Sequence, residues 1–231
     1  SIVSATEWQY RLGLTSLLFK EKAMDKILLS VDPMVFNYVP KDAAKKKYGI
    51  PENKKVIFFG SAFLNERRKG MKYLIDALKK MREHTEINKE NILLLIAGND
   101  FELIKSEIPF EYRYLGLLAN NEELAEAFQA SDIYVCPSIE DSGPMMINQA
   151  IMCGIPSVTY NMGVAMDLVI NGSTGYRAKL MDTDDLALGI TNLLKLDQVT
   201  YETYSKNCRE LDLSSFTPDV QIKKKKKLFM Q

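Results

Sequence analysis

The sequence predicts an α/β protein with a parallel sheet covered by helices on both faces. Three observations predict it. Short runs of aliphatic and aromatic residues recur along the chain, and most stop at a glycine or proline. These runs alternate little between apolar and polar, the pattern of strands buried on both faces. Between them lie segments whose apolar residues return at helical spacing. Strand alternating with helix implies right-handed crossovers and a Rossmann-like sheet.

The elements follow in order. Residues 1–32 read as a strand end, a helix around Glu7 to Leu12 and a strand at KILLSV. VDPMVFNYVPKD is punctuated by Pro33 and Pro40 and reads as a linker; residues 33–54 hold it and a lead-in helix. Residues 55–210 carry the repeating pattern. VIFFG ends at Gly60, ILLLIAG at Gly98, YRYLG at Gly116 and IYVCP at Pro137. PSVTY follows at Pro156 to Tyr160, and a further strand begins at Tyr176. In KGMKYLIDALKKM, Met71, Leu74, Ile75, Leu78 and Met81 share one helix face. NEELAEAFQASD offers Leu124, Ala127 and Phe128 in the same way. DTDDLALGITNLLKL offers Leu186, Ile190, Leu193 and Leu194, with Asp182, Asp184 and Asp185 at the start, where the helix dipole favours negative charge. Residues 211–231 read as a final helix with Pro218 near its first turn.

Composition narrows the function classes. Thirty basic side chains balance thirty acidic ones, so no global field draws the chain to nucleic acid. Cys136, Cys153 and Cys208 show neither metal-ligand spacing nor a disulfide framework, which fits a reducing, cytoplasmic compartment and gives the formal sequon Asn171-Gly172-Ser173 little weight. No apolar run approaches the roughly 20 residues needed to span a bilayer. The chain opens at SIVSATEW without Met and reads as a piece of something longer. His84 is the one histidine. It has no partner at a catalytic spacing, reads as solvated, and argues against a serine or cysteine hydrolase.

In open α/β sheets ligands bind beyond the carboxyl ends of the strands, and three loops stand out there. GSAFLNERRKG, Gly60 to Gly70, packs Arg67, Arg68 and Lys69 at a helix entry, where basic groups beside exposed N–H groups suit a diphosphate. It lacks the glycine spacing of a Walker loop. The plainer reading is a solvated loop. In the second, IEDSG connects a strand to a helix that Pro144 helps to start, leaving the N–H groups of Met145 and Met146 without helical partners. That makes an anion pocket, with Asp141 at its rim and Gln149 about two turns into the helix. The plainer reading makes Asp141 a helix-start charge, Gln149 a surface amide, and Met145, Met146, Ile147, Ile151 and Met152 core. The third is YNMGVAMDLVINGSTGY, with Gly163 before a short helix and turns at NGSTG.

Together these segments resemble the nucleotide-sugar-binding half of the group 1 (family 4) retaining glycosyltransferases of the GT-B fold. FFG, RRKG, LIAG, YLG, ASDIYVCPS, EDSGPMMINQA, MCGIP, NMG and NGSTG appear in the family's order, from about Val31 to Leu228. The resemblance implies that Lys69 binds the donor diphosphate and that the backbone at Leu118 contacts the base. Ser142, Gly143, Met145 and Met146 form the backbone cradle. The family's acid-x7-Glu pair falls on Asp141, near the donor sugar, and on Gln149, at the ribose. Glu140 with the same spacing would land on Asn148 and break the register with Ala150 and Gly154. The pair departs from the pattern at both ends, and Ser61 stands where the family has an arginine, for which Arg67 or Arg68 could compensate.

The resemblance further implies sugar transfer from a UDP- or GDP-type donor with retained configuration, in glycan or surface polysaccharide synthesis, with no required metal or cofactor. Residues 1–32 become the end of a first domain, 33–54 the interdomain linker, 55–210 the donor domain and 211–231 a helix crossing back. The acceptor, a sugar or lipid-linked sugar, would meet the first domain, so the fragment alone would be inactive. The run Lys223 to Lys227 suggests a peripheral contact with an anionic membrane, against the plainer reading of a solvated face. A second reading is a non-catalytic nucleotide-binding or assembly module that kept the fold. A dinucleotide oxidoreductase fails on the missing G-x-G-x-x-G.

Overall fold

The structure, a computed structural model, describes residues 2–83 and 88–230. His84 lies outside them. The chain runs through β1 (Ile2–Ser4), α1 (Glu7–Thr15), β2 (Met24–Lys26), α2 (Lys41–Lys47), β3 (Lys55–Phe63), α3 (Met71–Glu83), β4 (Ile92–Asn99), β5 (Glu111–Tyr114) and α4 (Asn121–Gln129). It continues through β6 (Ile133–Cys136), α5 (Met145–Met152), β7 (Ser157–Tyr160), α6 (Ala165–Leu168), β8 (Gly175–Ala178), α7 (Thr183–Leu194), α8 (Gln198–Ser215) and α9 (Pro218–Phe229).

Six strands form one parallel sheet in the order β5-β4-β3-β6-β7-β8. Sequence order reverses between β3 and β6, so a crevice opens beyond their carboxyl ends. The predicted Rossmann-like class is the observed one. Alternation along β3 explains why both faces are covered. Val56 and Phe58 pack with Leu93, Leu95, Phe128 and Ile151 on one side. Ile57 and Phe59 pack with Leu74, Leu78, Leu94 and Ile190 on the other. The predicted face of α3 is buried as read: Met71, Leu74, Ile75, Leu78 and Met81 all lie in the second cluster.

At the opposite end of the strands a buried ion cluster ties the lead-in helix to the sheet. Asp132, just before β6, lies 2.9 Å from Lys41 Nζ and 3.0 Å from Lys45 Nζ, both on α2. Its Oδ2 accepts the Val56 N–H at 2.7 Å. Tyr201 Oη donates to the Asp132 carbonyl at 2.9 Å, and Lys41 Nζ lies 3.6 Å from the centre of the Tyr201 ring.

Two readings need correction. KILLSV is not a strand: β2 ends at Lys26, the Ile27 N–H makes a last hydrogen bond to the Ser4 carbonyl at 3.0 Å, and Leu28 and Val31 are buried beyond it outside any strand. Their apolar side chains fill core beside the linker, which apolar content alone does not distinguish from a strand. The helix α8 has no counterpart among the sequence expectations, and the boundary placed after residue 210 falls inside it. Among its described side chains, Tyr201, Ser205 and Cys208 are buried. They share a face, but serine and cysteine do not announce an apolar stripe. Ser205 fits because it meets Gly154, where a Cβ would stand 2.9 Å from its Oγ.

The N-terminal residues form a separate small sheet, β1 parallel to β2, with α1 between them. This unit docks on α6. The Glu7 N–H donates to Asp167 Oδ2 at 2.8 Å, and Lys26 Nζ lies 2.7 Å from Asp167 Oδ1.

Candidate functional site

A cavity of about 510 Å³ lies at the crevice between β3 and β6. Its walls are the end of β3, the turn holding Arg68 and Lys69, the floor residues Tyr134 and Cys136, and the start of α5.

Glycines allow these walls to meet. Gly70 follows the turn Arg67–Lys69 at φ 76°. A Cβ there would stand 1.8 Å from the Pro137 carbonyl oxygen, so only glycine lets this turn lie on the β6–α5 loop. The Ile139 N–H then donates to the Arg68 carbonyl at 2.9 Å. Gly163, at φ 54°, seats the NMG turn against the same loop; its Cβ would come within 2.8 Å of the Asp141 carbonyl oxygen.

Two of the predicted residues, Lys69 and Asp141, converge. Lys69 Nζ lies 2.6 Å from Asp141 Oδ2, and the Asp141 Oδ1 accepts the Gly143 N–H at 3.1 Å. Arg68 Nη1 lies 3.7 Å from Asp141 Oδ2. Arg68 lines the cavity whereas Arg67 does not, so the cation beside Lys69 is Arg68. Ser61 lines the cavity too, with its hydroxyl donating to the Phe63 carbonyl at 3.1 Å. Glu140 is exposed.

Helix α5 begins at Met145, with Pro144 as an N-cap that has no capping side chain. The Ile147 N–H is taken by the Pro144 carbonyl, and the Met145 and Met146 N–H groups find no acceptor among the described residues. Both methionine side chains are half-buried; they pack on the core and also line the cavity. Burial pushes the Cys136 thiol and the Tyr134 hydroxyl up from their ordinary values.

Residues 40–211 match the family model described as "Glycosyl transferases group 1". The chain belongs to that family. A curated relative of this group 1 glycosyl transferase chain is N-acetyl-alpha-D-glucosaminyl L-malate synthase of Bacillus anthracis, 26% identical over 198 residues that cover 84% of this chain and 50% of the relative. The chain therefore spans about half the length of that relative. Among solved structures, sucrose-phosphate synthase from Thermosynechococcus elongatus superposes with a TM-score of 0.82 at 20% identity, over 99% of this chain and 57% of the other. Anabaena HepE, solved in complex with UDP and glucose, superposes with a TM-score of 0.76 at 17% identity, over 99% of this chain and 62% of the other. These likenesses show the fold.

Of the residues predicted for this glycosyl transferase chain, Lys69, Met145 and Met146 line the cavity. Asp141, Ser142 and Gly143 lie in the loop beside it, and Leu118 and Gln149 are likewise not among its lining residues. Leu118 is half-buried in the loop after β5 and packs on the core beneath it. Gln149 is the fifth residue of α5, so it lies little more than one turn from the helix start and not two. It falls four residues after Met145, on the same side of the helix. Its side chain is half-buried and makes no hydrogen bond among the described residues. Asn148, which the register set aside, is buried and donates to the Leu29 carbonyl at 3.1 Å.

One contact has no precedent in the sequence reading. The Thr6 hydroxyl donates to the Ser142 carbonyl at 3.1 Å, joining the N-terminal unit to the loop that carries Asp141. The pattern Thr6-x-x-Gln9 does signal a helix start, and Thr6 Oγ1 accepts the Gln9 N–H at 3.1 Å. Nothing local points to a partner 136 residues away.

Proposed function

We propose that this chain is the donor-binding half of a retaining glycosyltransferase that uses a UDP-type nucleotide-sugar. The observation that carries the proposal is the cavity at the β3–β6 crevice, where Lys69 and the uncapped start of α5 face one volume. A diphosphate placed there would meet an ammonium group and unpaired N–H groups at a helix N-terminus, the donor set such an anion requires.

In the reaction, the bond between the sugar's anomeric carbon and the diphosphate oxygen breaks, and the diphosphate leaves with the electron pair. An acceptor hydroxyl bonds to the same face of that carbon and gives its proton to the departing diphosphate oxygen. Lys69 and the α5 N-terminus would stabilise the charge growing on the leaving group. Asp141 would hold the sugar and Gln149 the ribose hydroxyls, with the backbone at Leu118 reading the base. A UDP-type donor is favoured over a GDP-type because the superposed Anabaena structure was solved with UDP and glucose. The acceptor, a sugar or lipid-linked sugar of glycan or surface polysaccharide synthesis, would be bound by a preceding domain. The chain alone would therefore bind donor without transferring it. The lysines of α9 would offer a peripheral contact with the cytoplasmic face of a membrane.

Calorimetric titration with UDP, GDP and ADP, then UDP-glucose, tests the reading. Saturable UDP binding that Lys69→Ala weakens is the expected result; no binding by any of the three would sink it. A second reading, a non-catalytic nucleotide-binding module, draws on Gln149 in place of an acid. It predicts nucleotide binding by the full-length protein without sugar transfer.

A further inference from the structure

Thr6 is 1% exposed and uses its hydroxyl twice, accepting the Gln9 N–H and donating to the Ser142 carbonyl. A Cβ on Gly143 would stand 3.2 Å from Thr6 Cγ2, so the side chain lies against the backbone of both loop residues. Ser142 and Gly143 link Asp141 to Pro144, the N-cap of α5. They join the carboxylate that holds Lys69 to the helix start facing the cavity.

The remaining supports of this loop come from the sheet domain. Lys69 grips the Asp141 carboxylate, and Gly163 seats its carbonyl. Thr6 supports it from the N-terminal unit. That unit is itself anchored without touching the loop, because Glu7 and Lys26 both engage Asp167, whose side chain is only 4% exposed. The anchor on α6 and the Thr6–Ser142 hydrogen bond thus run in series from Asp167 to the loop.

We propose that Thr6 is a positioning residue for the donor site: through the Ser142 carbonyl it sets the loop that presents Asp141 and leads into α5. The proposal rests on the donor-site reading above. One consequence is reciprocal coupling. If docking of the N-terminal unit favours the donor-binding loop geometry, donor binding must favour docking by the same factor.

The test combines UDP calorimetry with hydrogen exchange of the ligand-free chain. Thr6→Val keeps the shape and removes the hydroxyl. It is expected to speed exchange over residues 139–146 and to weaken UDP binding by about fivefold, the usual effect of one lost hydrogen bond. Thr6→Ser keeps the hydroxyl and should stay within about twofold of the parent. A second variant perturbs the contact from the other side. Gly143→Ala places a methyl against Thr6 Cγ2, and should weaken binding on its own. Adding Thr6→Ser removes the opposing methyl and should restore binding, a non-additivity that a helix cap alone would not produce. If Thr6→Val speeds exchange only within α1, Thr6 is a cap and the proposal fails. It also fails if the loop loosens while UDP affinity is unchanged, or if the double variant is simply additive. No UDP binding by the parent would instead defeat the donor-site reading, and the exchange data would still decide whether Thr6 holds the loop.

Discussion

Lys69 Nζ lies 2.6 Å from Asp141 Oδ2, so the cation assigned to the diphosphate and the acid assigned to the sugar neutralise each other across the β3–β6 crevice. The pair is partly exposed, with 23% of the lysine and 12% of the aspartate side chain accessible, which limits its strength to about 1 kcal/mol or less. An incoming diphosphate offers Lys69 more negative charge than one carboxylate does. Donor binding would then exchange one partner for another and free Asp141 to meet the sugar. Asp141→Asn should therefore tighten binding of UDP itself by about twofold to fivefold while removing any preference for UDP-glucose over UDP. Lys69→Ala should weaken both by about tenfold or more. Parallel titrations with the two ligands at low and high salt check both outcomes.

Gln149 presents an amide where a charged acceptor would grip ribose hydroxyls more strongly. A hydrogen bond to a charged group exceeds a neutral one by about 1 kcal/mol. Gln149→Glu should tighten UDP binding by about fivefold and leave binding of inorganic diphosphate unchanged. Equal effects on the two ligands would remove Gln149 from the ribose.

Gly70 has the most demanding position in the site. Its φ of 76° costs a non-glycine residue about 1–2 kcal/mol, and a Cβ would stand 1.8 Å from the Pro137 carbonyl oxygen, so backbone must move. Gly70→Ala should lower stability by more than the strain alone, about 2–4 kcal/mol, and displace Lys69. Gly116→Ala has similar strain, φ 72°, with open space around its Cβ, and should cost only the strain. Urea denaturation of the two variants separates clash from strain.

The Asp132 cluster makes a pH-dependent contribution. Burial opposes the charge of its carboxyl most strongly, but Lys41, Lys45 and the Val56 N–H more than offset that and hold it below its ordinary value of 3.8. A carboxyl with a depressed folded pKa contributes stability above its unfolded value and loses it as pH falls through the folded one. Stability from this group should be intact above about pH 5 and decline below about pH 4. Asp132→Asn leaves Lys41 and Lys45 without their counter-charge and should cost about 3–5 kcal/mol at neutral pH while flattening the acid decline. Denaturant titrations from pH 3 to pH 7 would show both effects.

The fold was legible where side-chain chemistry repeats locally. The α3 stripe from Met71 to Met81 and the β-rich runs ending at Gly60 and Gly98 needed no distant partner to be read. The site was legible through the order of its motifs, which placed Lys69, Asp141 and α5 at one edge. Their mutual geometry was not. The Lys69–Asp141 pair spans 72 residues and the Thr6–Ser142 contact 136, and no local pattern encodes a partner at that distance. Helix α8 was harder to read because Ser205 and Cys208, buried beside Tyr201 among its described side chains, are not apolar-stripe residues; Tyr201 and Ser205 fit Asp132 and Gly154 at close range.

Helix α9 bears the last prediction. It contains Lys223 to Lys227, all exposed, and has no buried residue. Gln221 faces the body of the protein, donating to the Leu28 carbonyl and accepting from Ser30. Ile222 and Phe229 are seven residues apart, so they share a side of the helix, and they are 49% and 84% exposed. Apolar side chains flanked by lysines match an interfacial helix, in which each lysine contributes about 1 kcal/mol at an anionic surface. Co-sedimentation with phosphatidylserine-containing vesicles should pull down the chain at low salt and release it at high salt. Replacing the five lysines with glutamine should cut the bound fraction at least tenfold, and phosphatidylcholine vesicles should bind neither protein. An unchanged bound fraction after the replacement would return α9 to a solvated face.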